Sequence, residues 1–153
     1  MAKKIIIGSD PSGFTLKEAV KKHLEEIGYE VTDVGTKSED EPVLFYDVAN
    51  NLASAVSKKE FDRGVIMCGT GMGVSLIANK YKGVYVGLCE SVYAANRARV
   101  FNNANVLGMG GFIVGPEMGI RMVDEFLNTQ WKDGVDTETE AVLQQAYEIM
   151  ETL

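Results

Sequence analysis

Short apolar runs alternate with segments of helical periodicity along the whole chain. The runs predict five strands, at Ile5–Ile7, Tyr29–Val34, Val65–Cys68, Val84–Cys89 and Val106–Met109. The segments between them predict five helices, at Phe14–Ile27, Tyr46–Ser57, Leu76–Lys80, Tyr93–Val100 and Met118–Leu127. A strand that is apolar throughout is buried on both faces, so the sheet should be parallel with helices on each side. The pattern therefore predicts an α/β fold with a doubly wound five-stranded parallel sheet, flavodoxin-like or Rossmann-like, in the order 2-1-3-4-5.

The end of the chain predicts one further helix. Thr137-Glu138-Thr139-Glu140 has the pattern of a capping box. After it, apolar side chains recur at helical spacing, at Val142, Leu143, Ala146, Ile149, Met150 and Leu153. We expect a helix over about residues 137–152, with an apolar face that packs either on its own domain or on another subunit. We expect residues 1–153 to form a single domain.

Composition and charge narrow the class of protein. Lys and Arg number 15 and Asp and Glu number 22, and the net charge of -7 argues against a nucleic-acid or anionic-membrane partner. The sequence has no apolar stretch of about 18 residues, and its first residues lack the apolar core of a signal peptide. Cys68 and Cys89 each end an apolar run, which is typical of buried or reactive thiols rather than of a disulfide framework. We therefore expect a soluble, cytoplasmic protein.

The segment around Cys68 combines a strand end, a glycine-rich turn and the start of a helix. Gly69-Thr70-Gly71-Met72-Gly73 follows the cysteine directly. Glycines allow positive φ and leave backbone N–H groups accessible, so such a turn can bind an anion beside the positive end of the following helix. A thiol in that position ionises more readily than a free thiol. A base next to an anion-binding turn can remove a proton beside a carbonyl group.

The expected sheet topology adds a carboxylate to this thiol. In a sheet of this order, ligands bind between strands 1 and 3, outside the carboxyl ends of the strands. The first strand ends at Gly8-Ser9-Asp10 and the third at Cys68-Gly69-Thr70. The topology therefore predicts that the carboxylate of Asp10 and the thiol of Cys68 face the same crevice. The alternative role for Asp10 is to cap the helix that begins near Ser12.

Other motifs have plainer explanations. The glycine turn is not a dinucleotide fingerprint, because Val74 stands where that motif needs a small residue and the turn follows the third strand rather than the first. Cys68 has the alternative of being a small buried apolar residue, and its position before the glycines favours a reactive thiol. Cys89 has no such turn and is expected in the core. His23 lies in a Lys-rich helix, and no cluster of His, Cys and carboxylates has the spacing of a metal site.

Several segments together resemble one family of enzymes. They are Ile6-Ile7-Gly8-Ser9-Asp10, Val34-Gly35-Thr36, Cys68-Gly69-Thr70-Gly71-Met72-Gly73, Ala78-Asn79-Lys80 and Asn102-Asn103-Ala104-Asn105-Val106-Leu107. From Lys4 to about Trp131 the chain is similar to ribose-5-phosphate isomerase type B and to its relative, galactose-6-phosphate isomerase. The resemblance implies an aldose-ketose isomerase of phosphorylated sugars without a metal or organic cofactor. It also implies a homodimer or higher oligomer with active sites between subunits.

The resemblance assigns roles to individual residues. Cys68 would be the base that moves a proton between C1 and C2 of the sugar through a cis-enediolate, and Thr70 would assist at the ring oxygen or a hydroxyl. The enediolate oxygens would be bound by the N–H groups of the turn glycines Gly69, Gly71 and Gly73. The other residues expected to bind substrate are Asp10, Ser9, Asn102 and Tyr46.

The chain departs from the family where the family opens the sugar ring and binds phosphate. Pro11 and Phe101 stand where the family has histidines, of which the second helps to open the ring. Phe112 replaces an arginine after the fifth strand, and Val135-Asp136-Thr137-Glu138-Thr139 replaces a basic phosphate-binding run. The remaining candidates for phosphate binding are Arg97, Arg99 and Lys17.

Three hypotheses account for these departures. In the first, the chain supplies the thiol half of a composite site and a homologous sister subunit supplies the histidine and arginines, as in the two-subunit galactose-6-phosphate isomerase. In the second, the substrate is a tetrose or tetrulose 4-phosphate, which needs no ring opening because its ring-closing hydroxyl is esterified. In the third, the sugar carries no phosphate. A non-catalytic sugar-phosphate sensor is the alternative from a different class of protein, and the reactivity of Cys68 distinguishes it from an enzyme.

Overall fold

Five parallel strands form one sheet within residues 3–153, the part of the chain that the computed structural model describes. The strands are β1 (Lys4–Ser9), β2 (Glu30–Asp33), β3 (Gly64–Cys68), β4 (Val86–Leu88) and β5 (Val106–Gly110). The helices are α1 (Phe14–Glu26), α2 (Phe45–Ser57), α3 (Met72–Ala78), α4 (Val92–Asn102), α5 (Pro116–Asn128) and α6 (Thr137–Thr152). A short 3-10 turn over Pro11–Gly13 joins β1 to α1. The predicted α/β class with a parallel five-stranded sheet is confirmed.

The order of the last two strands differs from the prediction. The sheet runs β2-β1-β3-β5-β4, whereas the sequence predicted 2-1-3-4-5. Every residue of β5 is buried, which suits a central strand, whereas β4 has only three residues and none of them is buried. A short, partly exposed strand belongs at the edge of a sheet. The chain still reverses direction between β1 and β3, so the crevice expected there is retained.

Side chains alternate between the two faces of the sheet and form two separate core clusters. Ile5, Ile7, Val65 and Met67 pack with α1, α4 and α5 on one face. Ile6, Ile66 and Cys68 pack with α2 and α3 on the other. This alternation is the period of two that a strand imposes. It directs the thiol of Cys68 toward the layer formed by α2 and α3.

Local hydrogen bonds fix where the helices begin. Ser91 caps α4 by accepting the N–H of Ala94 at 3.0 Å. For α6, the cap is the carboxylate of Asp136, which accepts the N–H of Thr139 at 2.7 Å. The capping box predicted from Thr137 therefore lies one residue too far along the chain. The Thr139 amide also lowers the pKa of Asp136, because it stabilises the ionised carboxylate.

Helix α6 divides its apolar residues between two environments. The ring of Tyr147 packs against Tyr85 and Trp131, with centroids 5.5 and 4.9 Å away, and this holds the helix on its own domain. Val142, Ile149 and Leu153 are exposed. The helix therefore has one face on its own chain and a second apolar face without a partner in the described residues. No helix within residues 3–153 combines the length and the apolar character needed to cross a membrane.

Lys17 lies at the centre of a buried ion cluster between α1 and β2. Its side chain has no exposed surface, and its Nζ lies 2.6 Å from Oδ2 of Asp33 and 2.8 Å from Oε2 of Glu18. Lys21 contacts the same oxygen of Asp33 at 3.3 Å. Because Lys17 is enclosed and fully paired, the prediction that it binds a substrate phosphate is wrong. It fixes α1 to the end of β2 instead.

Candidate active site

The thiol of Cys68 lies where β3 ends and the glycine turn begins. Cys68 and Gly110 form the last residue pair between β3 and β5, and only 6% of the surface of Cys68 is exposed. Its Sγ accepts the N–H of Gly71 at 3.2 Å. The sulfur thus lies at the boundary between the core and the turn, with a backbone donor aimed at it.

The turn keeps its shape because one of its glycines has no room for a side chain. Gly71 has a φ of 78°, and a Cβ there would lie within 2.9 Å of the backbone carbonyl of Met109. The hydroxyl of Thr70 accepts the N–H of Met72 at 3.2 Å. Within residues 3–153, the N–H groups of Gly69 and Gly73 have no hydrogen-bond partner. These two donors are therefore unpaired within the described chain, and backbone N–H groups of this kind can bind an anionic oxygen.

Asp10 lies beside this turn, at the end of the neighbouring strand. Ser9 pairs with Met67, and the N–H of Asp10 donates to the carbonyl of Met67 at 3.3 Å, so Asp10 comes level with Cys68. Neighbouring strands lie about 4.8 Å apart, so the two residues line one crevice, as the topology predicted. Oδ1 of Asp10 also accepts the N–H of Gly13 at 3.1 Å. Asp10 therefore caps the 3-10 turn through Oδ1, and its Oδ2 has no hydrogen-bond partner within residues 3–153.

Burial raises the pKa of Asp10, and the backbone N–H groups of Gly13 and Ser12 oppose that shift without cancelling it. The carboxyl group consequently takes up a proton at a higher pH than a free aspartate. Ser9, one residue earlier, is completely buried, and its Oγ has no hydrogen-bond partner. The side chain of Ser9 therefore has no accessible surface to offer a substrate.

Two phenylalanines lie against the glycine turn. The N–H of Phe112 donates to the carbonyl of Gly69 at 2.9 Å, and the N–H of Gly111 donates to the carbonyl of Cys68 at 2.8 Å, so the loop after β5 is bonded to the turn. The ring of Phe112 covers Gly69, and the ring of Phe45 covers Gly73. Phe45 was not among the predicted site residues. Its neighbour Tyr46, a predicted substrate-binding residue, is exposed in the first turn of α2 and packs edge-on against Phe45 with ring centroids 5.4 Å apart.

Asn102 lies near the amino ends of the strands, whereas Cys68 lies at their carboxyl ends. It is the last residue of α4 and precedes β5, which runs from Val106 to Gly110, the partner of Cys68. Five residues of a strand span roughly 13 Å or more, so Asn102 and Cys68 of one chain do not share a crevice. Residues 3–153 thus bring together the thiol, the glycine turn and Asp10, and leave Asn102 outside that group.

The predicted phosphate-binding arginines differ in their surroundings. Arg99 is buried, and its guanidinium donates to the carbonyl of Ala104 at 2.6 Å and to Oδ1 of Asn103 at 2.9 Å. Burial, with a contribution from the charge of Arg63, lowers the pKa of Arg99 to about 10. Because its donors are used inside the chain, its prediction as a phosphate ligand is wrong. Arg97 is partly exposed.

Arg97 is held by two aromatic rings. Its guanidinium carbon lies 5.3 Å from the ring centroid of Tyr93 and 5.1 Å from that of Phe101. The loops that follow β1, β3, β4 and β5 contain no Lys or Arg, and the loop after β2 contains Lys37. Residues 3–153 also contain no group of three His, Cys, Asp or Glu side chains that could hold a metal ion. The crevice of a single chain therefore offers backbone donors, a thiol and a carboxyl group.

Comparison with known proteins gives matches over most of the chain. The profile of the family described as Ribose/Galactose Isomerase matches residues 5–142. The chain is 45% identical to the 4-deoxy-4-sulfo-D-erythrose isomerase of Clostridium sp. (strain MSTE9), over 87% of this chain and 84% of that one. It is 41% identical to D-erythrulose-4-phosphate isomerase 2 of Mycolicibacterium smegmatis, over 86% of this chain and 88% of that one.

A solved structure gives the same result for the fold. The ribose 5-phosphate isomerase of Thermotoga maritima superposes with a TM-score of 0.88 at 37% identity, and the match covers 100% of both chains. The fold and the site define an α/β protein with a thiol beside a glycine turn at the switch point of the sheet. The chain belongs to the ribose/galactose isomerase family.

Proposed function

We propose that this chain is an aldose-ketose isomerase that uses Cys68 to transfer a proton between the two carbons of the substrate that exchange the carbonyl group. One observation carries the proposal. The Sγ of Cys68 lies beside two unpaired N–H groups of the turn and level with Asp10 on the neighbouring strand. Family membership supports the same activity.

The proposed reaction moves one proton between the two carbons by way of Cys68 and one hydroxyl proton between their two oxygens. The thiolate of Cys68 takes the proton from the carbon next to the carbonyl group. The electron pair of that C–H bond forms the new C=C bond, and the π electron pair of the carbonyl group moves to its oxygen. The resulting enediolate is bound by the N–H groups of Gly69 and Gly73, which stabilise charge that is absent from the bound substrate. The thiol then returns the proton to the neighbouring carbon. Asp10 holds a substrate hydroxyl, and Thr70 assists at a second one.

The proposed substrate is a four-carbon sugar with a phosphate or sulfonate at C4. Two relatives at 41% and 45% identity are named for four-carbon sugars of this kind. In such a sugar the C4 position carries no free hydroxyl, so it cannot close a stable ring. A site with Phe101 in place of a ring-opening histidine loses nothing with this substrate. Phosphate and sulfonate are both tetrahedral anions, and both accept hydrogen bonds from backbone N–H groups and from a guanidinium.

A second copy of the chain is proposed to complete the site. Asn102 is separated from Cys68 of its own chain by the length of β5, and Arg97 lies about one helical turn before Asn102. Both could serve substrate only from a neighbouring subunit. The exposed apolar residues Val142, Ile149 and Leu153 of α6 support an assembly of this kind, because such surface is usually covered. In that assembly Arg97 is the candidate for binding the terminal anion.

A panel of substrates tests the proposed function. The purified chain is expected to isomerise D-erythrose 4-phosphate or its 4-sulfo analogue with a kcat/KM at least about tenfold above that for ribose 5-phosphate or galactose 6-phosphate, since a poorly accommodated carbon unit costs about that much. Faster turnover of the pentose or hexose phosphate would contradict the four-carbon substrate. Activity that requires a co-encoded homologue would instead support the composite site with a sister subunit. Binding without any turnover would support the sensor.

A further inference from the structure

The rings of Phe112 and Phe45 occupy the space that side chains at Gly69 and Gly73 would fill. A Cβ placed on Gly69 would lie 2.5 Å from Cε2 of Phe112, and one placed on Gly73 would lie 2.9 Å from Cε2 of Phe45. Each ring is therefore in van der Waals contact with the backbone of the turn. The two glycines that carry free N–H groups are the same two that the rings cover.

The backbone holds the first of these rings in place, and packing holds the second. The main chain of Phe112 is bonded to the carbonyl of Gly69, so its Cα cannot move away from the turn without breaking that bond. Its side chain is 75% exposed and contributes nothing to either core cluster. Phe45 begins α2 and packs edge-on against Tyr46. The turn thus carries polar backbone groups and is flanked by two aromatic rings.

Aromatic rings beside the turn would distinguish sugars by the number of carbons in their chains. The reacting carbons must lie over the turn, so the rest of the sugar has to pass the rings. A further carbon bearing a hydroxyl would press that hydroxyl against an aromatic ring, where it has no hydrogen-bond partner, and an unpaired polar group is costly to bury. A four-carbon sugar ends sooner and presents one fewer hydroxyl to the ring.

We propose that Phe112, backed by Phe45 across the glycine turn, is a specificity-determining residue that restricts this site to four-carbon sugars. The inference rests on the proposed isomerase function and names the side chain that sets its substrate length. Phe112 takes no part in the proton transfer. Its effect is to penalise the additional hydroxymethylene unit of a pentose.

The ratio of two specificity constants tests this role. In Phe112→Ala, kcat/KM for ribose 5-phosphate divided by kcat/KM for D-erythrose 4-phosphate is expected to rise about tenfold or more, which is the usual effect of one carbon unit at a shaped pocket. Phe112→Tyr keeps the ring over Gly69 and is the matched control, with a ratio within about threefold of the unmodified protein. Phe112→Leu, of intermediate size, is expected to give an intermediate ratio and provides a second test if the alanine variant folds poorly.

The experiment distinguishes failure of the proposed role of Phe112 from failure of the proposed isomerase function. If the unmodified chain isomerises sugars and the ratio is unchanged in Phe112→Ala and Phe112→Leu, the role of Phe112 is wrong while the proposed function stands. An equal fall in activity on both sugars has the same meaning, because it indicates a structural contribution without selectivity. If the unmodified chain turns over none of ribose 5-phosphate, D-erythrose 4-phosphate and its 4-sulfo analogue, the proposed function itself is contradicted.

Discussion

Replacing Cys68 with serine is expected to lower kcat/KM for the preferred sugar by about a thousandfold, within the range that general base catalysis contributes. A serine hydroxyl is a far weaker acid than a thiol, so the variant has almost no anionic base at neutral pH. The fold should be unaffected, since the hydroxyl can still accept the N–H of Gly71 that now donates to sulfur at 3.2 Å. Steady-state kinetics and a thermal melt of the same sample measure both effects.

Cys89 provides the matched control for this substitution. It is buried in the cluster that packs α1, α4 and α5 on the opposite face of the sheet, and burial raises the pKa of its thiol to about 11. Cys89 therefore stays protonated at neutral pH and has no role in the reaction. Cys89→Ala should retain kcat/KM within a few fold. Full activity in Cys68→Ser, or an equal loss in both cysteine variants, would refute the assignment of Cys68 as the base.

Replacing Asp33 with asparagine is expected to reduce the free energy of unfolding by about 3–5 kcal/mol, because it leaves the buried ammonium of Lys17 without its main counter-charge. The carboxylate of Asp33 is 2% exposed and accepts from Lys17, from Lys21 and from the N–H of Gly35 at 3.0 Å. Glu18 is the remaining partner of Lys17, and it is partly exposed to solvent. Urea denaturation measures the loss.

The pH dependence of stability identifies the cause of that loss. Burial alone would raise the pKa of Asp33, but the hydrogen bonds from Lys17 and Gly35 and the charges of Lys17 and Lys21 outweigh it and hold the pKa below its usual value. For a lowered carboxyl pKa, the stabilisation is complete above the unfolded pKa of about 4 and is lost as the pH falls through the folded pKa. The difference between the unmodified protein and Asp33→Asn should therefore shrink below about pH 4.

An exposed ion pair on α1, the helix that carries Lys17, provides the control for Asp33→Asn. Lys22 and Glu26 lie 4.0 Å apart and both are exposed, so Glu26→Gln should change the unfolding free energy by less than about 0.5 kcal/mol. If Asp33→Asn proved as mild as Glu26→Gln, the buried cluster would not hold α1 on β2. A loss that did not vary with pH would exclude the ionised carboxylate as its cause.

The sequence predicted the features of the fold that depend on local pattern. The apolar run that ends at Cys68, the glycines after it and the position of Asp10 at the end of β1 were enough to predict the crevice between β1 and β3. The order of β4 and β5 was not predictable from these runs, because both are short and apolar. Their burial distinguishes them, and it results from packing of the whole sheet.

The predictions for the charged residues failed for a related reason. Lys17 and Arg99 are cations like any other in the sequence, and only the folded chain gives each of them buried partners, such as Asp33 for Lys17. Phe45 has no signal of its own in the sequence, because its contact with Gly73 joins the start of α2 to the turn after β3. Long-range contacts of this kind depend on tertiary structure, whereas motifs report only neighbours along the chain.

Solvent deuterium exchange during isomerisation tests the central claim, that the thiol of Cys68 carries a proton through an enediolate. When D-erythrose 4-phosphate is isomerised in heavy water and followed by NMR, deuterium should appear at the carbon that receives the proton, and Cys68→Ser should lose this incorporation together with turnover. Turnover and deuterium incorporation that are both unchanged in Cys68→Ser would contradict this claim, because a group other than the thiol would then carry the proton.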